Sequence, residues 1–206
     1  MGEHVLSMIR DSLPVLNVGT RERIKTLKKR DDEIDILHNE IVLYLHRLSS
    51  LDLLDPQPEQ LYRYLTTANA LENVADVVKE GIVRDSKKRL ALSLEISQST
   101  KDYITNVYKE VYLAGQTTLQ AIEEENPDLA QQVLDSRPHV NGLQARARSH
   151  LSERLTNESP QHLSLYKIES STIENFGQIY NLFVDVCELW SKDIKNKETV
   201  DAAGAG

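Results

Sequence analysis

The chain has 206 residues, with 24 Lys plus Arg against 32 Asp plus Glu, a formal net charge of -8 and a single cysteine. That length supports a hydrophobic core without disulfides or a structural metal, and the acidic balance argues against a nucleic-acid partner. Cys187 has no second cysteine to pair with, which fits a reducing compartment. Apolar runs such as Ile41-Val42-Leu43-Tyr44-Leu45 fall far short of the ~20 residues that cross a bilayer, and no basic segment followed by an apolar run opens the chain. Neither a membrane span nor a secretory signal is expected.

Helical spacing begins almost at Met1, which is the expectation for a piece of a longer protein. The first helix is predicted over about Glu3 to Leu16, carrying Val5, Leu6, Met8, Ile9 and Leu13 before Asn17-Val18-Gly19 interrupts it. Thr20 is suited to cap a second helix running to about Ser49. Its seam steps by three and four residues through Ile24, Leu27, Asp31, Ile34, His38, Ile41, Leu45 and Leu48, so two seam positions are polar. Asp55-Pro56-Gln57-Pro58 breaks the chain, because proline lacks the N–H and restricts its predecessor. The third helix reaches about Arg84, with Leu61, Leu65, Ala68, Leu71, Ala75, Val78 and Ile82 as its apolar stripe and Asn69, Glu72 and Asp76 as a polar line beside it. A fourth helix is predicted from roughly Arg89 to Glu125, and a fifth from about Asp128 to Leu155, disturbed at Arg137-Pro138. After Asn157-Glu158-Ser159-Pro160 a sixth continues to about Lys195, leaving residues 198–206 as a disordered tail.

The last three helices echo the first three. Aligning Pro58 with Pro160 places Leu71 on Ile173 and Glu72-Asn73 on Glu174-Asn175, while Ile34, Leu37 and Leu45 correspond to Val140, Leu143 and Leu151. The prediction is therefore all-α, six helices as two three-helix repeats, divided at residues 1–85 and 86–197.

Side chains four apart share a helix face, so Asp31 with Asp35 and Glu72 with Asp76 each form a pincer. Asp35 and Glu72 stand about equally far from the intervening turn, so antiparallel packing brings four carboxylates together. Such a group repels itself unless its pKa values rise or a cation joins it. Oxygen-rich ligation suits magnesium, calcium, manganese or iron, and His38, one turn beyond Asp35, offers a nitrogen that favours iron, zinc or nickel. The bland alternative is a solvated acidic face, common for any one such pair. The second repeat lacks the charge: Arg137 and Asn141 stand where Asp31 and Asp35 do, Gln178 replaces Asp76, and only Glu174 survives.

Residues Asp31-Asp32-Glu33-Ile34-Asp35-Ile36-Leu37-His38 and Leu71-Glu72-Asn73-Val74-Ala75-Asp76 resemble the paired acidic signatures of the PhoU family. Met1-Gly2-Glu3-His4-Val5-Leu6 and Tyr44-Leu45-His46-Arg47-Leu48-Ser49 look more like the PhoU-like domain attached to sodium/phosphate cotransporters than like free-standing PhoU. This resemblance implies two PhoU-like three-helix bundles, with Asp31, Asp35, Glu72, Asp76 and His38 as metal-ligand candidates, Asp32 as a substitute for Asp31, and a divalent or trivalent ion such as iron, zinc or manganese as the cofactor. It implies a non-enzymatic regulatory domain at the cytoplasmic side of the cell membrane, modulating a sodium-dependent phosphate transporter. Its partners would be the membrane transport domain of the same polypeptide, phosphate through the metal, and a second copy in a homodimer. A free-standing PhoU-like regulator of phosphate uptake, or a metal-free helical adaptor, is the alternative. A di-iron enzyme of the ferritin-like type is disfavoured, because the Glu-x-x-His motif it needs on two helices is absent. Cys187 and Trp190 are expected as packing residues.

Overall fold

Period-3.6 patterning with few glycines produces helix through almost the whole chain. The computed structural model describes residues 1–154 and 160–204, with side chains to 154 and from 162 to 191. Helix α1 (Gly2–Val18) buries Val5, Met8, Ile9, Ser12, Val15 and Leu16 along one stripe. The Thr20 hydroxyl accepts from the Arg23 N–H at 3.3 Å and starts α2 (Arg21–Ser49), whose buried residues Ile24, Leu27, Asp31, Ile34 and Leu45 follow the expected seam. His38, Ile41 and Leu48 on that seam are half-buried.

After the proline-containing turn, α3 (Gln57–Asp76) passes without interruption into a π-helical stretch, Val77–Val83, and then α4 (Arg84–Ala91). The wider π turn faces α8, and a Cβ added at Gly81 would stand 2.4–2.7 Å from the Asn175 side chain. Glycine at 81 permits that close approach. The next break lies at residues 92–97, where Ser97 accepts from Thr100 N–H at 3.3 Å and starts α5 (Gln98–Glu123). Asn126 caps α6 (Pro127–Asp135), Ser136 joins it to α7 (Arg137–Glu153), and α8 (Pro160–Gly204) closes the chain.

Taking α3, the π stretch and α4 as one helix, and α6 with α7 as one kinked helix, the described residues form six helices in two three-helix bundles and contain no strand. The bundles meet where α3 and the π stretch pack on α8 and α1 packs on α5. One core runs through both, centred on fully buried Phe176, Tyr180, Phe183, Met8 and Ile34.

One expected helix limit moves: the fourth helix begins at Gln98 rather than near Arg89. Helix α8 is continuous to Gly204. The break expected at Asn157-Glu158-Ser159 lies outside the described residues, as do residues 205 and 206. Cys187 is buried beside the Thr118 hydroxyl at 3.2 Å, and burial pushes its thiol up to about 11, so it packs rather than reacts. Trp190 donates from Nε1 to Thr67 Oγ1 at 2.9 Å under the Arg63 guanidinium, a packing role. No described helix is long and apolar enough to cross a membrane.

Candidate metal centre

Helices α2 and α3 run antiparallel, and their facing polar residues form three rungs. His38 Nε2 and Asn69 Oδ1 are 2.8 Å apart on the first. Glu72 feels Asp35 and His38 on the second, and Asp31 feels Asp76 and Lys79 on the third. The expected equal height of the two acidic pairs is therefore met. Residue by residue the ladder follows from spacing: Asp31, Asp35 and His38 lie four and three apart on α2, and Asn69, Glu72 and Asp76 three and four apart on α3.

Asp31, Asp32 and Asp35 each bring a carboxylate oxygen within 4.8 Å of the others, a group that could hold a metal ion. Asp31 is fully buried, Asp35 half-buried and Asp32 exposed. Asp32 thus belongs to the same close group as Asp31. Glu72 and Asp76 face this trio from α3 but lie outside the close group. His38, held by Asn69 beside Glu72, is also outside it.

Charge balance at the centre is incomplete. Asp31 Oδ1 is buried with no hydrogen-bond partner, and the ammonium of Lys79 lies 2.5 Å from Oδ2. Burial holds the Asp31 carboxyl above its ordinary value; Lys79 opposes this, and Asp35 and Asp76 add to it. Burial likewise raises Glu72, with Asp76 pushing the same way and His38 against. Lys79 is raised by its bond to Asp31, although its own burial works the other way. Both partners can lie high because the cost of burying Asp31 exceeds what one ammonium returns, and at 2.5 Å we take the pair as ionised.

The donors fit a cation: a buried unpartnered oxygen, two carboxylates beside it and two more opposite. With His38 engaged elsewhere, the close set is all oxygen, which favours hard ions such as magnesium, manganese or iron over zinc. An open groove of about 600 Å³ between the α3–π segment and α8 reaches Asp76 and is lined also by Asn73, Glu80, Arg84, Asn175 and Gln178. Lys79 belongs to the centre although the acidic motifs do not single it out. Its signal was present, for 72, 76 and 79 continue one helix face at spacings of four and three.

In the second half the equivalent positions do not gather acid. Arg137 Nη2 donates to Glu188 Oε1 at 2.6 Å, Glu174 accepts from Ser170 at 3.0 Å, and Asn141 and Gln178 are not ionisable. Among the described residues the Asp31 group is the only set of three or more metal-ligating side chains.

The sequence model of the family described as PhoU domain matches residues 1–81. No curated protein matches the chain significantly. Among solved structures, PhoU from Pseudomonas aeruginosa superposes with a TM-score of 0.84 at 16% identity, covering 92% of this chain and 89% of that one. The phosphate transport system regulatory protein PhoU from Streptococcus pneumoniae gives 0.76 at 14%, covering 92% and 87%. A PhoU-like protein from Shewanella oneidensis MR-1 gives 0.68 at 19%, covering 92% and 93%. The chain has the PhoU fold, and every residue of the candidate centre lies within the segment that matches the PhoU domain.

Proposed function

We propose that this chain is a PhoU-like regulator of phosphate uptake, without catalytic activity of its own, acting at the cytoplasmic face of a phosphate transporter. The observation that carries the reading is the coincidence of the PhoU-domain match over residues 1–81 with a buried, under-compensated carboxylate group at Asp31. Metal held by Asp31, Asp32 and Asp35, with Glu72 and Asp76 completing it from α3, would lock α2 and α3 in register. An open coordination position on such an ion can take a phosphate oxygen. His38 would orient Glu72 rather than ligate.

A free-standing regulator fits better than a domain attached to a sodium/phosphate cotransporter. The solved relatives matched at 87–93% of their own length include a phosphate transport system regulatory protein, whereas the cotransporter reading rests on sequence resemblance alone. A second copy of the chain, in a homodimer, belongs with the proposal.

Two measurements test the reading. Calorimetry with manganese on metal-stripped protein is expected to show binding by the wild type and its loss in Asp35→Ala with Asp76→Ala; equal binding by both sinks the metal claim. Deletion of the gene is expected to alter phosphate uptake by cells, with restoration by the wild type and not by the double variant. Unchanged uptake on deletion rejects the regulatory role.

A further inference from the structure

Within the carboxylate group a side chain of the protein already stands where a cation is wanted. Lys79 Nζ is 2.5 Å from Asp31 Oδ2 and 4.0 Å from Asp76 Oδ1, so it bridges α2 and its own helix across the third rung. Asp31 is fully buried, while the Lys79 side chain retains 30% exposure. The ammonium is thus partly wet at the end of a flexible stem, the arrangement that allows a lysine to swing outward. Its backbone lies in the π-helical stretch Val77–Val83.

A hard divalent ion on a carboxylate oxygen sits at roughly 2.0–2.6 Å. An ion bound to Asp31 Oδ2 would therefore crowd Nζ at Lys79, putting two cations within about one side-chain radius and leaving neither with its preferred oxygen shell. The two are mutually exclusive at that oxygen. Asp31 Oδ1 is buried and has no hydrogen-bond partner, so the same carboxylate offers an ion a second oxygen.

We propose that Lys79 is a tethered counter-cation of the centre: it occupies the place of the ion at Asp31 when metal is absent, and metal entry and Lys79 departure are a single exchange. The exchange moves one positive charge out of the α2–α3 interface as another enters, and forms and breaks no covalent bond. It lowers the affinity of the site relative to a bare carboxylate group, and it couples occupancy to the position of a side chain carried by the segment that packs on α8. The inference rests on the metal reading given above, and its test separates the two.

Manganese binding to metal-stripped wild type, Lys79→Met, Lys79→Arg and Asp35→Ala is measured by calorimetry at one pH and ionic strength. In parallel, the rate at which Lys79 is acetylated by an N-hydroxysuccinimide ester is followed by peptide mass spectrometry with and without manganese, with exposed Lys25 as the internal reference. Lys79→Met is expected to bind at least roughly tenfold more tightly than wild type, as befits removal of a competing charge from a partly buried site. Lys79→Arg keeps the charge and is expected to stay within a few-fold of wild type, and acetylation of Lys79 in the wild type is expected to rise several-fold on manganese addition while Lys25 is unchanged. Wild-type or weaker affinity in folded Lys79→Met, or a Lys79 acetylation rate that manganese does not change, overturns the exchange; the labelling arm needs no variant and decides the matter if Lys79→Met fails to fold. Binding by wild type that is lost in Asp35→Ala, with no gain in Lys79→Met, defeats this inference and leaves the metal reading standing. No binding by any of the four proteins defeats both.

Discussion

Glu169 is 2% exposed and faces Arg154, whose Nη1 lies 3.4 Å from Oε2 and also bonds Thr100. Burial raises the Glu169 carboxyl first, and Arg154 draws it back. Replacing Arg154 with methionine keeps the aliphatic stem and strands the acid. Because Arg154 is about a third exposed, the loss is set by discounting the fully buried case, to about 2 kcal/mol at pH 7. Urea unfolding of Arg154→Met and of Arg154→Met with Glu169→Gln checks this, the double variant being expected to recover part of the loss. The same residue type sets a pH dependence for the whole chain. Asp31 and Asp85 lie above 3.8 and Glu72 and Glu169 above 4.5, with burial the first cause in each. An acid whose folded pKa is raised binds its proton more tightly folded than unfolded. Its stabilising contribution is therefore complete below the ordinary carboxylate range and is lost as pH rises through the raised value. These four groups are expected to favour the folded metal-free protein more at pH 4, within the ordinary carboxylate range, than at pH 8. Saturating manganese is expected to narrow or invert that difference, since the ion needs ionised carboxylates. Melting curves at both pH values, with and without the ion, measure it.

Helix ends carry the next scale, and two of them are built against preference. After α4, Leu94 N–H bonds Arg89 O at 3.0 Å and Ser93 N–H bonds Leu90 O at 3.1 Å; after α5, Asn126 N–H bonds Ala121 O at 3.0 Å and Glu125 N–H bonds Ile122 O at 3.4 Å. Both are Schellman closures, in which the residue after the cap turns left-handed, a position glycine favours. Here Ser93 at φ 51° and Glu125 at φ 46° hold it. Ser93→Gly and Glu125→Gly are each expected to stabilise the protein by about 0.5–1 kcal/mol, which thermal melting would read as roughly 2–4 °C per kcal/mol. The same feature explains what the sequence concealed. The α2 seam, the Thr20 cap and the Asn126-Pro127 start could be read directly, because apolar period and capping chemistry are local. The end of α4 could not: no glycine marks residues 92–97, and Leu92, Leu94 and Ile96 are apolar enough to continue a helix, so the charged run at Arg84–Arg89 drew the boundary instead. The π stretch was also illegible: its one local mark is Gly81, and what that glycine meets, Asn175 on α8, is set by packing between distant segments. The site divides the same way. Facing Asp31, Asp35, Glu72 and Asp76 followed from helical spacing, but which carboxylates close together and what Lys79 does depend on side-chain placement across the interface.

Across the whole molecule, the two bundles share a scaffold and differ in charge. The sequence register that pairs Ile34 with Val140 and Leu71 with Ile173 places residues 137, 141, 174 and 178 where 31, 35, 72 and 76 stand, and the apolar members of both sets are buried. What the second half lacks is acid and burial: Arg137, Asn141, Glu174 and Gln178 are all exposed, whereas Asp31 is fully buried and Asp35, Glu72 and Asp76 are half-buried. Arg137 is committed to Glu188, Glu174 accepts from Ser170, and Asn141 and Gln178 carry no charge. Metal binding should therefore be confined to the first bundle, with Asp31→Asn removing most of it. Restoring the charge tests whether acid alone, on this more exposed face, makes a site. Arg137→Asp, Asn141→Asp and Gln178→Asp together with the resident Glu174 rebuild two acidic pairs at i, i+4 spacing on facing helices. The stability cost is small, since the Arg137–Glu188 pair it removes is more than 40% exposed on both sides. The triple variant is expected to bind more manganese per chain than wild type by elemental analysis after dialysis, and to keep the added portion when Asp31→Asn is introduced. A wild-type metal content in a folded triple variant would mean that acid alone on an exposed face does not make a site, and that the burial of Asp31 is part of what α2 and α3 supply.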